Sequence, residues 1–497
     1  MINQTVADTT DELEELMTDE VAEIKRKSVS GVISYFFRTA FLQGIGLVAA
    51  FILSAFFSPS DFGVYGYVTQ IIGLLIFFSD IGLAASLVQQ KNDPKNEEYR
   101  VAFTLQWLLS WVIVAVILSL LSFGFIQAKV GQAGVWVLLS LAISFPLATL
   151  KTVSSIKLER KLLFQRLVIP QIFEQIVFYG LLIVLALKGF GVMAYAYAII
   201  ARSLIGVVVM WLIEPWKEIG FFWSSNVLKS MLNFGLKFQL NDFLARIKDQ
   251  LFYLGLGAFL PLDQFGYIQW AKNWSMYPYN LTVQNVMAIT FPTYSRLQNH
   301  QDLLKKAIEK SIFFISLAIF PILAGMSIFI WPLTQVVDKY AKWEPAIFSF
   351  IFFALSIGWA ALSTPLVNTL NAIGHINQTL KLMVMWTVLT WILTPIMMWW
   401  LGFNGVALAA FLISFTSIFS VQMVKKYIPV EILPQIKEAT VGVVMMTLVG
   451  CWQLNYWATS LRTMLLGMFV TSFVYLVVIL LVGHQRIFRE VKNLLNK

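Results

Sequence analysis

The chain has 497 residues, of which 58% are hydrophobic and only 13% are charged, with a net charge of +9 at pH 7. Its mean hydropathy of +0.74 excludes an ordinary soluble domain, because apolar stretches of about 20 residues, each long enough to cross a bilayer, fill almost the whole chain. The positive charge does not indicate nucleic acid binding, since Lys and Arg are concentrated in alternate loops, where they determine topology. We therefore predict a polytopic membrane protein.

The first thirty residues are polar and contain an acidic run followed by the basic triplet 25–27. We predict a disordered cytoplasmic tail, with contact to a partner enzyme as the alternative interpretation. The tail contains no hydrophobic region typical of a cleavable signal peptide. Fourteen apolar spans follow it, and we predict them at residues 31–57, 62–89, 101–127, 132–150, 167–187, 190–213, 230–260, 264–291, 311–330, 345–371, 382–400, 402–424, 439–456 and 463–482.

The Lys and Arg residues predict the orientation of the chain. With a cytoplasmic N-terminus, the inner tails and loops contain 25 of the 36 Lys and Arg residues, the outer loops contain five and the spans contain six. The segment 151–166 is the richest of the predicted inner loops, with five of these cations. This asymmetry follows the positive-inside rule, so both termini are predicted to be cytoplasmic.

Two pairs of similar segments indicate an internal repeat. Segments 59–63 (PSDFG) and 261–266 (PLDQFG) open the second and eighth spans, while 189–194 (GFGVMA) and 402–407 (GFNGVA) open the sixth and twelfth. Six spans separate the partners of each pair, and an even number preserves orientation. The pattern therefore predicts parallel repeats with a binding site between them, as in one class of secondary transporters. Chance reuse of turn residues is the alternative.

The predicted fold class is an all-α polytopic membrane protein with about 14 transmembrane helices, two six-helix lobes as parallel pseudo-repeats and two extra C-terminal helices. The internal loops are too short for a soluble catalytic domain. The predicted domains are an acidic tail (1–30), an N-terminal lobe (31–213), a cytoplasmic linker (214–229), a C-terminal lobe (230–424), two extra helices (425–482) and a basic cytoplasmic tail (483–497).

The residue types disfavour several kinds of catalytic and metal site. Cys451 is the only cysteine and falls in an apolar span, which rules out a disulfide framework or a cysteine-based metal site. The three His residues lie in predicted loops or ends, and the sequence contains neither a P-loop nor an HExxH motif. We therefore expect no cofactor, no metal, no direct drive by ATP and no enzymatic activity.

Ten charged side chains fall inside the predicted spans. An unpaired charge at the bilayer centre costs about 2.5–3.5 kcal/mol on insertion scales, so these residues are expected to pair or to line a polar path. The alternative is that they only hold helices together. Glu174 lies towards the inner end of its predicted span, and Arg202 lies in mid-span with no partner close in sequence. The ten are Arg38, Arg202, Lys237, Arg246, Lys248, Lys272, Asp80, Glu174, Asp242 and Asp249.

The seventh span carries a polar stripe on one helical face, because its polar residues recur at intervals of three and four. Arg246 has one carboxylate four residues before it and another three residues after it, and both are within reach of its guanidinium. In the eighth span, the segment 277–279 (YPY) predicts a break in the helix where it faces a cavity. The stripe consists of Gly235, Gln239, Asp242, Arg246, Asp249 and Tyr253.

Several segments resemble bacterial polysaccharide flippases of the multidrug/oligosaccharidyl-lipid/polysaccharide exporter superfamily. They are 62–65 (FGVY), 78–90 (FSDIGLAASLVQQ), 160–167 (RKLLFQRL), 249–250 (DQ), 254–255 (LG), 265–267 (FGY) and 291–298 (FPTYSRLQ). The resemblance covers about residues 30–425 and is greatest to the branch with colanic acid and teichuronic acid exporters. It implies two six-helix lobes around a cationic cavity. It also implies transport of undecaprenyl-pyrophosphate-linked oligosaccharides to the outer leaflet of the bacterial cytoplasmic membrane.

We assign roles to the polar residues as our own hypotheses, since the resemblance itself matches only Asp80 and the Asp249 end of the polar stripe. The pyrophosphate would be bound by Arg246, Arg202, Lys272 and Arg38. The sugar hydroxyls would be bound by Gln239, Asn273, Asn280, Gln284 and Tyr253. Four carboxylates would have structural roles or would couple transport to H⁺ or Na⁺. They are Asp80, Glu174, Asp242 and Asp249.

Two other functions stay open at this point. A cation-coupled multidrug exporter of the same fold would favour an acidic, aromatic pocket, which the six cations within the spans disfavour. A polymerase or ligase of the same pathway would carry a large outer loop, whereas the longest one predicted here is 331–344. The expected partners are the lipid-linked oligosaccharide, membrane lipids and, within the pathway, a polysaccharide polymerase and glycosyltransferases, but no nucleic acid.

Overall fold

The computed structural model describes Thr39 and residues 41–79, 82–90, 92–217 and 220–495, and no strand occurs in these ranges. The first part of this chain forms helices α1 (Phe41–Phe56), α2 (Pro59–Leu75), α3 (Leu83–Gln89), α4 (Asn96–Ser122), α5 (Phe125–Arg160), α6 (Phe164–Leu187), α7 (Met193–Ile213) and α8 (Ser225–Phe259). The second part forms α9 (Leu262–Tyr279), α10 (Asn285–Arg296), α11 (Gln301–Val336), α12 (Ile347–Ala372), α13 (Ile376–Leu401), α14 (Gly405–Ser414), α15 (Ile418–Lys425), α16 (Leu433–Trp452), α17 (Leu454–Trp457) and α18 (Leu461–Leu495). Over the described residues, each predicted span overlaps one or two of these helices.

The helices suit a membrane in their composition and in the hydrogen bonds that their side-chain hydroxyl groups form. Eight helical segments of the described chain are long and apolar enough to cross a bilayer. Their hydroxyl groups mostly donate to a carbonyl one turn earlier in the same helix, as Ser203 does to Ile199 O at 2.9 Å and Thr387 does to Met383 O at 2.7 Å. Such bonds satisfy polar groups where no water is available.

The chain forms two compact units. The first contains the described residues up to Leu53 and the segment Tyr67–Leu254, and the second contains Ser54–Gly66 and the chain from Gly255 onward. The first unit has a core in which α3, α4 and α5 meet, around Leu87, Phe103 and Val153. The predicted lobe boundaries, with a linker at 214–229, stay predictions.

Arg160 holds the loop after α3 at the end of α5. Its guanidinium donates to the carbonyl oxygens of Leu87 and Gln90, both at 2.8 Å, and lies 3.0 Å from a carboxylate oxygen of Asp93. These bonds satisfy carbonyls that a helix C-terminus leaves without partners. The two segments 78–90 and 160–167, which share the family resemblance, are therefore linked through Arg160.

Replacing Arg160 with lysine should destabilise the first unit. A single ammonium cannot reach several carbonyls and a carboxylate at once, and hydrogen bonds from a charged group are worth about 1.5–3 kcal/mol each. We expect the melting temperature in detergent to fall clearly. The control is Lys161→Gln, which removes only a pair between a half-exposed Lys161 and Glu214 and should cost less than about 1 kcal/mol. Equal shifts for the two variants would contradict the role of Arg160.

The prediction of an inner loop at 151–166 is wrong for most of that segment. The helix α5 continues to Arg160, and only three residues separate it from α6. Val153, Ile156 and Leu158 are fully or almost fully buried, so apolar packing extends the helix past the point where its lysines begin. The basic residues mark the side of the membrane, but they do not end the helix.

The predicted outer loop 331–344 is also wrong. The helix α11 continues to Val336, and a 3₁₀ helix, Asp338–Ala346, follows it. Trp343 is fully buried in this segment, stacks on Trp270 at 4.7 Å between ring centroids and donates from Nε1 to Ser54 O at 2.7 Å. Burial of these rings orders a segment that its polar residues had suggested to be a loop.

The two segments of the first predicted repeat pair pack directly on each other within the second unit. A Cβ added at Gly63 would lie 1.7 Å from Leu262 O, and one added at Gly266 would lie 1.8 Å from Pro59 O. Only glycine permits two backbones to approach this closely. In the second pair, Gly189 and Gly402 both have a positive φ, 80° and 58°.

The last two spans belong to the second unit and pack on α11. Buried residues of α16, α17 and α18 form a cluster with Ile328 and Phe329 of α11. The hydroxyl of Tyr475 donates to Leu317 O at 2.8 Å. The two extra C-terminal helices are therefore fastened to α11 by apolar contacts and by a hydrogen bond.

Candidate functional site

Three neighbouring helices of the first unit bring one carboxylate and two cations together. Glu174 of α6 accepts a hydrogen bond from the ammonium of Lys151 on α5, and Arg202 Nε of α7 lies 3.8 Å from Glu174 Oε2. The Glu174 side chain is 8% exposed, against 26% for Lys151 and 42% for Arg202. The carboxylate is thus enclosed, while the guanidinium is partly open. We call Lys151, Glu174 and Arg202 the charged triad.

The charged triad lies well inside the helices that carry it. Arg202 is nine residues from the start of the 21-residue α7, and Glu174 is ten residues from the start of the 24-residue α6. At 1.5 Å per residue, each is about 14–15 Å from its helix end. Glu174 is ten residues from the start of α6 and thirteen from its end, so it is nearer the start, the predicted inner end, but it lies close to the middle because α6 begins at Phe164.

Small and aromatic residues position the triad. A Cβ added at Gly206 would lie 2.0 Å from Glu174 Oε1, so the absence of a side chain on α7 leaves space for the carboxylate. The Arg202 guanidinium carbon lies 5.5 Å from the centre of the Phe178 ring, one turn after Glu174 on α6. This cation–π contact holds the guanidinium beside α6 while part of it stays open.

Two glutamines lie close to Glu174 along α6. Gln171 and Gln175 lie three residues before and one residue after it, and the side-chain oxygen of each is buried with no hydrogen-bond partner among the described residues. Buried carbonyl oxygens without donors are costly.

The charges define what this site can do chemically. Two cations and one carboxylate leave a net charge of +1 in the interior of a helical unit, which favours an anionic ligand. Arg binds phosphate oxygens in a bidentate geometry, and amide oxygens accept hydrogen bonds from hydroxyls. The described residues contain no group of three or more His, Cys, Asp or Glu that could hold a metal ion.

Of the residues proposed from the sequence, Arg202 and Glu174 are brought together here. Tyr253 and Asp249 lie on α8, where Tyr253 is half-buried and Asp249 is exposed. Arg38 and Asp80 lie outside the described residues, as do the side chains of Gln239, Asp242, Arg246, Lys237 and Lys248. Their proposed roles therefore stay predictions.

The remaining proposed residues lie in the second unit. Lys272 and Asn273 are on α9, and Asn280 and Gln284 bound the π-helical turn that follows it. The predicted break at 277–279 is not a break of the helix, since α9 passes through Pro278 and then widens into this turn. Wide turns of this kind are frequent at functional sites. Asn273 and Gln284 are exposed, and Lys272 and Asn280 are half-buried.

Lys151 was missed because it was assigned to a loop. The sequence contained a signal, since Leu150, Val153 and Ile156 continue the apolar spacing of a helix on both sides of it. Its partner Glu174 was recognised as a charge within a span. Their contact depends on how α5 and α6 pack, and the spacing of the sequence does not specify that packing.

The family is shown by a profile described as "Polysaccharide biosynthesis protein", which matches residues 52–348, more than half of the chain. The chain belongs to this family. It is 19% identical over 296 residues to the succinoglycan biosynthesis transport protein ExoT of Rhizobium meliloti (strain 1021), a match that covers 59% of this chain and 58% of that protein. The matched region thus spans less than two thirds of this relative.

Solved structures confirm the fold. The lipid II flippase MurJ, in an inward closed conformation, superposes with a TM-score of 0.69 at 14% identity, over 91% of this chain and 99% of that chain. An inward-facing multidrug resistance MATE family transporter superposes with a TM-score of 0.58 at 14% identity, over 77% and 95% of the two chains. The predicted all-α fold of two six-helix lobes with two extra helices is confirmed.

Proposed function

We propose that this multi-pass protein moves undecaprenyl-pyrophosphate-linked oligosaccharide repeat units from the inner to the outer leaflet of the bacterial cytoplasmic membrane, with both termini in the cytoplasm. The charged triad carries the proposal. A net positive site in the middle of membrane-spanning helices has no role in a purely apolar bundle, whereas a pyrophosphate requires such a site in order to cross the hydrocarbon. The protein acts as a transporter and not as an enzyme.

The binding step follows from the chemistry of the triad. Arg202 and Lys151 attract the pyrophosphate, and the polyprenyl tail stays in the lipid. Glu174 keeps the two cations in place when the site is empty, since a lone buried charge is costly. Arg246, Lys272 and Arg38 add positive charge along the path, and Gln239, Asn273, Asn280, Gln284 and Tyr253 contact the sugar.

The membrane potential is sufficient to drive export. A pyrophosphate diester carries about two negative charges, and moving each one outward across an inside-negative membrane releases about 2.3 kcal/mol per 100 mV. Export is therefore downhill by about 5 kcal/mol at that potential. Coupling to H⁺ or Na⁺ through Glu174, Asp80, Asp242 or Asp249 is not required for net export, although it would help to reset the carrier.

Arg202→Gln should abolish most transport in a strain that lacks its own polysaccharide flippase, whereas Arg202→Lys should retain part of it because the charge is kept. The measurement is surface polymer together with accumulated lipid-linked repeat units. Arg462→Gln, at an exposed position at the start of α18, is the control and should behave as wild type. Full transport by well-expressed Arg202→Gln would refute the assignment of the triad to substrate binding.

The similarity to a MATE transporter keeps a cation-coupled multidrug exporter as the second candidate. Such an exporter would not require the net positive charge of the triad for cationic drugs. Drug resistance conferred by the chain, without rescue of surface polymer in strains with different sugars, would favour that function. Polysaccharide polymerases and glycosyltransferases are proposed as pathway partners.

A further inference from the structure

A cavity separate from the charged triad lies at one end of the first unit. Its volume is about 420 Å³, and its wall is formed by residues from the start of α4, the end of α5 and the segment after α7. The lining includes Asn96, Tyr99, Lys157, Pro215, Trp216 and Lys217. Neither the family resemblance nor the proposed transport mechanism uses these residues.

The aromatic wall of the cavity is well ordered by its packing. Trp216 is 4% exposed, packs edge-on against Phe103 at 5.3 Å between ring centroids and donates from Nε1 to Asn96 Oδ1 at 3.4 Å. Tyr99 is 8% exposed, and Lys157 Nζ lies 5.4 Å from the centre of its ring. One lysine is therefore held over an aromatic face at the edge of a preformed cavity.

The cavity has positive charge that the described residues do not neutralise. Neither Lys157 nor Lys217 has a carboxylate within 4 Å in the described part of the chain. Three nearby carboxylates have other partners, since Asp93 pairs with Arg160, Glu214 pairs with Lys161, and Glu98 accepts from Gln90 and from the Lys95 backbone N–H. Glu97 is exposed on the first turn of α4.

The position of the cavity limits the kind of ligand. Asn96 is the first residue of α4, Lys157 is three residues before the end of α5, and Trp216 is three residues after the end of α7. All three helix ends lie on the side that the Lys and Arg distribution predicts to be cytoplasmic, and Tyr and Trp typically mark the interface between lipid and water. Basic pockets at this level recognise phosphate headgroups.

We infer that this cavity binds the phosphate headgroup of an anionic phospholipid of the cytoplasmic leaflet, with Lys157 and Lys217 contacting the phosphate and Trp216 and Asn96 shaping the pocket. The inference is independent of which substrate the chain transports. Free phosphate shares the same recognition chemistry, so the test separates the two sources.

The test measures the melting temperature of the full chain in uncharged detergent. Phosphatidylglycerol, phosphatidylcholine and inorganic phosphate are titrated separately, and the wild type is compared with Lys157→Gln/Lys217→Gln. A ligand that binds only the folded state raises the melting temperature, and the stabilisation grows with the logarithm of the ligand concentration above its Kd. The control is Lys229→Gln, an exposed lysine on α8 that does not line the cavity.

We expect phosphatidylglycerol alone to stabilise the wild type and the control, with an affinity roughly thirty-fold lower in the double variant, given the contribution of each lysine near an anionic surface. Stabilisation by inorganic phosphate to the same extent, lost in the double variant, would overturn the lipid as the source. An undiminished effect of phosphatidylglycerol on the double variant, or no effect on the wild type, would overturn the site.

Discussion

Gly63→Ala will strongly destabilise the protein and abolish transport. The added Cβ would lie 1.7 Å from the backbone oxygen of Leu262, and a backbone atom cannot move aside as a flexible side chain can. Overpacking commonly costs 1–3 kcal/mol, and a clash with backbone on this scale should cost about 3 kcal/mol or more. The measurement is the melting temperature in detergent, with surface polymer in the complementation strain as the second readout.

Two further variants separate this clash from a general effect of replacing glycine. Gly266→Ala should have the same effect, because its Cβ would lie 1.8 Å from Pro59 O in the reciprocal contact. Gly255→Ala is the matched control, since nothing lies within 4 Å of its added Cβ, and alanine favours a helix by about 1 kcal/mol over glycine. Equal stability and transport of Gly63→Ala and Gly255→Ala would contradict the close packing of the two repeat segments.

Glu174→Ala should destabilise the first unit by about 3 kcal/mol, because it leaves two cations in the membrane-spanning region without their shared carboxylate. The lower end of the known range applies, since Arg202 is 42% exposed and partly screened. Gly206→Ala should lower the stability by a smaller amount, because it displaces the same carboxylate without removing it. Both effects are read as shifts of the melting temperature.

The double variant Lys151→Met/Glu174→Met separates the effect on stability from the effect on transport. Replacing a buried ion pair with apolar groups of similar size is often neutral or stabilising, so this variant should melt well above Glu174→Ala but below wild type, since only Arg202, which is 42% exposed, is left without its carboxylate. It should nevertheless transport poorly, because a cation of the proposed phosphate site is missing. If Glu174→Ala is as stable as wild type, the carboxylate does not hold the triad together.

The sequence predicted the helices far better than the places where they end. Apolar stretches longer than the bilayer thickness fold as helices in almost any context, and the fourteen spans follow from that constraint. The errors at 151–166 and 331–344 share a cause. Both segments are largely helical despite their lysines and other polar residues, because Leu158 and Trp343 are buried. Burial depends on tertiary packing.

The candidate site was predicted only in part. A charge inside a span is visible in the sequence, and Glu174 and Arg202 were recognised on that ground. Their contact was not predictable, because the two residues are 28 positions apart on adjacent helices, and helix packing decides which faces meet. The burial of the side-chain oxygens of Gln171 and Gln175, which have no hydrogen-bond partner in the described part of the chain, was not predictable for the same reason.

Transport of a lipid-linked oligosaccharide is tested most directly with the purified chain in liposomes. A polyprenyl-pyrophosphate-linked oligosaccharide is incorporated into both leaflets. An enzyme or reagent added to the outside then reports how much of the oligosaccharide is exposed there. A membrane potential that is negative inside the liposome drives anions outward. Under this potential, the wild type should move the oligosaccharide of the inner leaflet to the outside over time, and Arg202→Gln should not. If the inner pool stays as inaccessible with the wild-type chain as in protein-free liposomes, the central claim is contradicted.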